Sequence, residues 1–552
     1  MIRVSQKRHF ISMCCVTGML FLFGCKPSSS LVEQKAYTEE ELYRPNFHFT
    51  PKNYWMNDPN GMFYYKGNYH LLFQHHPNSN VAGAIHWGHA VSNDLITWTE
   101  KPIAIYPDEK GYIFSGSAVV DLENTSGFGS LQNPPIVAMF TYHDPVKEKA
   151  GKIDVQSQAI AYSLDEGLTW TKYENNPVIK NTNIQDFRDP KMTWDAIHKQ
   201  WLMVLAAGDH SMLYRSENLK DWELLSDFGK GIGSHDGVWE CPDFFPMPVE
   251  GSDQYKWVLL QSINPGGPNG GSATQYFVGD FDGKTFKLDE SFSEDLKQKK
   301  SLWIDYGRDN YAGVTWSNIS ETDGRKLFIG WMSNWDYAQK VPTQKWRGSS
   351  TIPRELRLIK EGNHFRVLSQ PVRELKKYVS KTVEKDIVKI DKKTVLVDKS
   401  QVDLSKLDIQ FTMKDLKEDV YTFSLSNTSN NSVQFGINKK DKYFFIDRRN
   451  SGNLSFSDVF AKQISKAPFP ADFDKIEVRV IIDKTSIEVF YNNGETVMTE
   501  LFFPEKPMEI FSVAKGIFDF NIENLIINQL NFNQANLLGE LDLNKENKVK
   551  IE

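Results

Sequence analysis

Three short stretches hold carboxylates in settings that can aim them. In Trp55-Met-Asn-Asp-Pro-Asn-Gly61, Asp58 sits among two asparagines, a proline and a glycine. Pro59 presets one backbone angle and Gly61 admits another that other residues resist, so the turn can fix Asp58 with little entropy left to lose. Phe187-Arg-Asp-Pro190 presents Asp189 and Trp239-Glu-Cys-Pro-Asp243 presents Glu240 in the same way, each near a proline and an aromatic. An Asp-Pro-Asn-Gly turn by itself is usually only a turn. Three aimed carboxylates in this order make an acid/base and nucleophile set, the equipment of covalent catalysis with proton transfer.

These residues lie far apart in the chain, so the elements between them must bring them together. Aromatic and β-branched runs such as Tyr69-His-Leu-Leu-Phe-Gln74 and Trp201-Leu-Met-Val-Leu205 recur between Gly, Asn, Asp and Pro turns and read as strands. Hardly any convincing amphipathic helix precedes residue 370. A weak repeat runs through the strands: Ser92-Asn-Asp-Leu-Ile-Thr-Trp98, Ser163-Leu-Asp-Glu-Gly-Leu-Thr-Trp170 and Ser216-Glu-Asn-Leu-Lys-Asp-Trp222, with a degenerate copy over Gly279 to Phe286. The recurrence fits one corner turn repeated in the blades of a β-propeller, and the period divides Tyr43 to Leu358 into about five. Turns from different blades of a propeller converge at one end of its channel, which is what Asp58, Asp189 and Glu240 require.

From about Lys376 the pattern changes to strict alternation, as in Tyr421-Thr-Phe-Ser-Leu-Ser426, Lys475-Ile-Glu-Val-Arg-Val480 and Ser486-Ile-Glu-Val-Phe490. Alternation marks half-buried strands of a sandwich, and Tyr491-Asn-Asn-Gly494 supplies a hairpin turn. The expected fold is therefore all-β: a five-bladed β-propeller over 43–365, a linker over 366–385, a β-sandwich over 386–545 and a frayed tail over 546–552.

The N-terminus is different material. Arg3, Lys7 and Arg8 precede an apolar run from about Phe10 to Phe23 that ends at Gly24-Cys25, the pattern of an export signal too short to span a membrane comfortably. Leu22-Phe-Gly-Cys25 looks like a bacterial lipoprotein cleavage box, which makes Cys25 the expected lipid attachment site, 1–25 a signal peptide and 26–42 a membrane tether. The chain has four cysteines. Cys14 and Cys15 leave with the signal and Cys241 has no partner, so no disulfide framework is expected. The pairs His75-His76 and His86 with His89 lack the helical context of a zinc motif, and neither metal nor cofactor is expected. A formal charge of -7 over 552 residues gives no reason to expect nucleic acid. With 14 Trp, 21 Tyr and 36 Phe the chain has ample material for large cores and for rings that pack on neutral sugars.

The ordered trio resembles glycoside hydrolase family 32, the invertases, inulinases and levanases, and most of all its bacterial levanases. The family's N-D-P-N-G, R-D-P and E-C boxes stand here as Asn57 to Gly61, Arg188 to Pro190 and Glu240-Cys241, and similar passages include Phe114-Ser-Gly-Ser117, Asp305-Tyr-Gly-Arg-Asp-Asn-Tyr311 and Gly330-Trp-Met-Ser-Asn-Trp335. The resemblance implies a retaining hydrolase of β-fructofuranosidic bonds in fructan, levan before inulin or sucrose. It makes Asp58 the nucleophile, Glu240 the acid/base and Asp189 the transition-state stabiliser. It implies substrate contacts at Asn57, Gln74, Phe114, Ser115, Arg188, Tyr311 and Trp335, whereas Trp55 and Trp87 read as packing and Trp239 as an apolar wall keeping Glu240 protonated. Where the family often has a tryptophan wall, the segment Asn80-Val-Ala-Gly-Ala-Ile-His-Trp87 places Ala82, which predicts a pocket open to internal fructose units. Strict exo-action, fructosyl transfer, an inverting arabinan-cleaving propeller and a sugar-binding propeller without catalysis are the alternatives.

Overall fold

A computed structural model describes residues 37–469 and 475–532. The expected signal peptide with Cys25, the expected tether up to residue 36 and the expected tail over 546–552 lie outside those residues.

Five antiparallel sheets form the blades of a propeller. Their innermost strands are Tyr54–Tyr65, Tyr112–Val120, Phe187–Asp195, Val238–Pro248 and Tyr311–Thr315, each packed against the next around the ring. The second strands, for example Ile136–His143 and Gln200–Ala207, are buried almost throughout because neighbouring blades cover both faces. That double cover explains why their sequences run apolar without alternation. The ring closes where Trp346–Arg347, from the fifth blade's segment, pairs in parallel with Tyr54 and Trp55.

The repeated corner turn joins the third and fourth strands of blades one to four. In the first three copies the serine hydroxyl bonds the side chain two residues on, Asp94, Asp165 or Asn218, whose oxygen in turn accepts backbone N–H groups such as those of Thr97, Thr169 and Asp221. The next residue, Leu95, Glu166 or Leu219, takes a positive φ. The motif is thus a structural side-chain turn of the Asx kind. In the degenerate copy Asp282 accepts from Lys284 N and Thr285 N.

Two expectations change. Helix Glu290–Lys299 follows the fourth blade, capped by the Asp289 carboxylate on Ser291 N and burying Phe292 and Leu296, an i,i+4 pair whose helical spacing the strand reading passed over. The stretch 366–385 is no linker. Strand His364–Pro371 completes blade five, a 3-10 turn spans Arg373–Tyr378, and Val379–Ile390 already pairs within the sandwich, so backbone pairing continues almost unbroken across the junction. Two six-stranded sheets make that sandwich. At the other end, helix Glu39–Tyr43 with its Thr38/Glu41 capping box is tied to the propeller, Glu39 accepting from Gln344 N.

Propeller and sandwich share a buried ionic network. Arg354 of blade five, fully buried, donates to Asp305 Oδ2 at 2.9 Å and also to Glu488 of the sandwich. His48 bridges Asp483 at 2.9 Å and Glu488 at 2.7 Å. Burial opposes the charge on His48, but these two carboxylates hold its pKa up at about 9.

Candidate active site

All five innermost strands break register with their neighbours, each near its start. Asp58 is the unpaired residue between Asn57 and Pro59, Ser115 that between Phe114 and Gly116, and Asp189-Pro190, Cys241-Pro242 and Ala312-Gly313 are the inserted residues of the other three. Such bulges bend a strand and re-aim its side chains, and proline is tolerated there because the ladder needs no N–H. Asp58, Asp189, Cys241 and Ala312 all carry positive φ, at 27°, 66°, 44° and 51°. Strain of this kind gathers at functional sites, and five bulges at one end of the channel turn five sets of side chains toward one another. Gly61 follows at φ 53°, where a Cβ would approach Trp87 to 2.8 Å, so only glycine lets this turn close on that indole.

The trio meets there. Ser115 Oγ donates to Asp58 Oδ2 at 2.9 Å. Trp55 Nε1 donates to Asn57 Oδ1 at 2.6 Å, which leaves the Asn57 amide N–H groups to face Asp58. Burial, then the charges of Glu240 and Asp189, push the Asp58 pKa up to about 7 against the pull of Asn57 and Ser115. Cys241 N donates to Asp189 Oδ2 at 2.9 Å, and Thr141 Oγ1 accepts from Asp189 N at 3.1 Å. Burial raises Asp189, Arg188 lowers it and Glu240 raises it again, leaving it at about 6. Arg188 donates through Nε and Nη2 to Glu240 Oε1 at 3.2 and 3.1 Å and through Nη1 to Asp186 at 2.6 Å, while the Tyr311 hydroxyl donates to Glu240 Oε2. Burial and the adjacent carboxylates drive the Cys241 and Tyr311 pKa values well up, so both remain neutral donors. Asp58 and Asp189 are thus both held above the ordinary carboxylate range by burial and by the charge of neighbouring carboxylates.

The outlying residues assemble around this cluster. Gln74 lies opposite Asn57 in register and donates to Ile113 O at 3.1 Å. Phe114, half-buried, stacks on His143 at 4.3 Å with planes 4° apart. Trp335 packs on Trp55 and Trp331 at 5.7 and 5.0 Å. Trp55 and Trp87 are fully buried, and Trp87 Nε1 donates to Phe114 O. Trp239 differs from expectation: it stacks on His235 and packs against Phe277, on the face of its strand opposite Glu240, as alternation along a strand demands. Arg188 and Tyr311, not an indole, flank Glu240. Asp186, Thr141 and His143 complete the cluster unforeseen; Asp186 stands two residues before Arg188 in the sequence, whereas Thr141 and His143 come from a second strand with no local signal.

A cavity of about 1000 Å³ opens at the opposite end of the channel, lined by Lys191, Asp243 and Lys326 among others, and none of the trio lines it. The Lys191 ammonium donates to Thr315 O.

A five-bladed propeller that brings Asp58, Asp189 and Glu240 together, the last held by an arginine and a tyrosine, has the paired carboxylates that glycoside hydrolysis needs. Residues 48–371 match the glycosyl hydrolases family 32 N-terminal domain and residues 374–527 the glycosyl hydrolases family 32 C terminal domain, and the chain belongs to that family. It is 44% identical over 509 residues to a levanase of Bacillus subtilis, covering 91% of this chain and 72% of the relative. A levanbiose-producing levanase of the same organism is 34% identical over 495 residues, covering 88% of this chain and 91% of the relative. Among solved structures, exo-inulinase from Aspergillus awamori superposes with a TM-score of 0.80 at 33% identity, covering 90% of this chain and 99% of that one.

Proposed function

We propose that the protein hydrolyses β-fructofuranosidic bonds of fructan, levan first, with retention at the anomeric carbon. The observation that carries this reading is the convergence of Asp58, Asp189 and Glu240 on one channel mouth from three different blades, the first two within strand bulges and Glu240 immediately before one. Asp58, ionised, attacks the anomeric carbon as Glu240 delivers its proton to the leaving oxygen; Glu240 then takes a proton from the water that releases the fructosyl ester. Asp189, pinned by Cys241, grips ring hydroxyls and steadies the transition state, and Arg188 and Tyr311 orient the acid/base. The names of the levanase relatives support levan as the polymer.

Ala82 packs at the margin of the apolar cluster that contains Trp55 and Trp331 and, at its edge, Trp335. A methyl in place of an indole forfeits much of the roughly 150–250 Å² an aromatic side chain buries, so binding draws on further sugar units and internal units are admitted. The earliest products from levan test this: a ladder of oligosaccharides is expected, and free fructose as the sole product at every time point overturns it.

The Leu22-Phe-Gly-Cys25 box supports a lipid anchor on Cys25 that holds the enzyme at a membrane. Cys25→Ser is expected to move the protein into the soluble fraction of a cell lysate. Unchanged partitioning of that variant removes the anchor from the reading.

A further inference from the structure

We infer that Tyr106 is a sugar-binding platform for a unit of the fructan chain remote from the cleaved bond, an inference that rests on the fructan reading above. Exposed tyrosines are common and mean little singly. This one stands where the chain must leave the site. From Asn57 the register runs outward through Gln74 and Trp87 to Ile105, the residue before Tyr106. Three inter-strand steps of about 4.8 Å place it about 14 Å from the reacting centre, at the same end of the propeller. Ala82, the open side of the pocket, belongs to the hairpin of that same blade, between strands Asn68–His76 and His86–Ser92.

Tyr106 is 56% exposed, yet its support is fixed. Lys172 Nζ donates to Tyr106 O at 2.6 Å and to Asp108 Oδ2 at 2.5 Å, Tyr142 OH donates to the same carboxylate at 2.5 Å, and Asp108 bridges back to Gly111. His86 meets the ring edge to face at 5.6 Å and sets its orientation, leaving ring surface free. A platform already ordered loses little entropy when a sugar docks. Between Tyr106 and Ser115 lies a second aromatic surface, Phe114 stacked on His143 and His143 on Tyr112 at 6.4 Å. Rings therefore mark a path outward from Asp58 between blades one and two, and the C–H face of a furanose is the chemistry a bare ring receives.

The test is chain-length dependence. Tyr106→Ala is expected to lower kcat/KM on levan about three- to tenfold, the range of one aromatic contact, and to leave sucrose, too short to reach the ring, at the wild-type value. Tyr106→Trp should match or exceed wild type on levan. Tyr255→Ala, removing an exposed ring at the opposite end of the propeller, should change neither substrate. Wild-type kcat/KM of Tyr106→Ala on levan overturns the platform, and so does an equal loss on levan and sucrose, which marks a structural role. Failure of the wild-type protein to cleave any fructan is a separate outcome that overturns the underlying functional reading and the platform with it.

Discussion

Asp58→Asn and Glu240→Gln will each remove most fructan hydrolysis while leaving a folded, cooperatively melting protein. Neither change alters volume; each deletes a charge or a proton used at the reacting centre. Loss of the acid/base costs roughly 10²–10⁴ in rate. The two variants separate with azide and a fructoside whose leaving group needs no protonation. In Glu240→Gln the fructosyl ester still forms, and azide, needing no general base, releases it as the fructosyl azide; in Asp58→Asn no ester forms and azide restores nothing. Wild-type turnover of levan by Glu240→Gln would show the assignment to be wrong. Asp58 adds a pH signature. Its folded pKa of about 7 lies above the 3.8 of a free aspartate, so the fold favours the protonated form. The cost of the charge is absent below the unfolded value and grows to its full size, on the order of a few kcal/mol, as pH passes the folded value. Asp58→Asn should therefore melt higher than wild type, by more at pH about 8 than at pH about 4. Equal melting shifts at both pH values would mean that the site does not strain this carboxylate.

The three carboxylates that meet could be picked out because each lies in or beside a strand bulge that a proline marks in the sequence: Asp58 before Pro59, Asp189 before Pro190, Glu240 ahead of Pro242. Blades one to four were legible through Ser92, Ser163, Ser216 and Asp282, whose side chains close their turns with bonds to residues two to four positions away. What escaped was set by pairing across long separations. That Ser115 and Ala312 are bulged depends on Thr141 and Gly330 across the strand, residues no window around them contains. The outward face of Trp239 follows from strand alternation, yet the register that decides which face meets the channel comes from Ile263 opposite it. Helix Glu290–Lys299 had its cap and its apolar pair in plain view, and was lost only among the many strands around it. The network of Arg354 and His48 joins residues more than a hundred positions apart, so nothing local in the sequence announces it.

That network sets the second large effect: Arg354→Met will destabilise the protein by about 3–5 kcal/mol, read as a drop in the denaturation midpoint. The guanidinium is fully buried and satisfies Asp305, Glu488 and, at 2.7 Å, Thr499 Oγ1 at once. Methionine fills the volume but takes the cation from buried Asp305 and leaves buried Glu488 with His48 as its remaining cation. Removing one partner of a buried pair costs far more than the pair itself contributes, because the remaining charge has nowhere to go. Arg354→Lys should rescue little, since a single ammonium cannot reach Asp305 and Glu488 with the planar geometry that Arg354 uses. His48 carries the same network on the other side of Glu488, and its titration gives a pH test. Its folded pKa of about 9 exceeds the 6.5 of a free imidazole, so its contribution is complete below 6.5 and is lost as pH rises through about 9. Wild-type stability should fall by on the order of 3 kcal/mol across that window, and His48→Gln should flatten the fall. A wild-type midpoint for Arg354→Met, or a pH profile that His48→Gln leaves unchanged, would show that the junction is held by its apolar contacts and not by its charges.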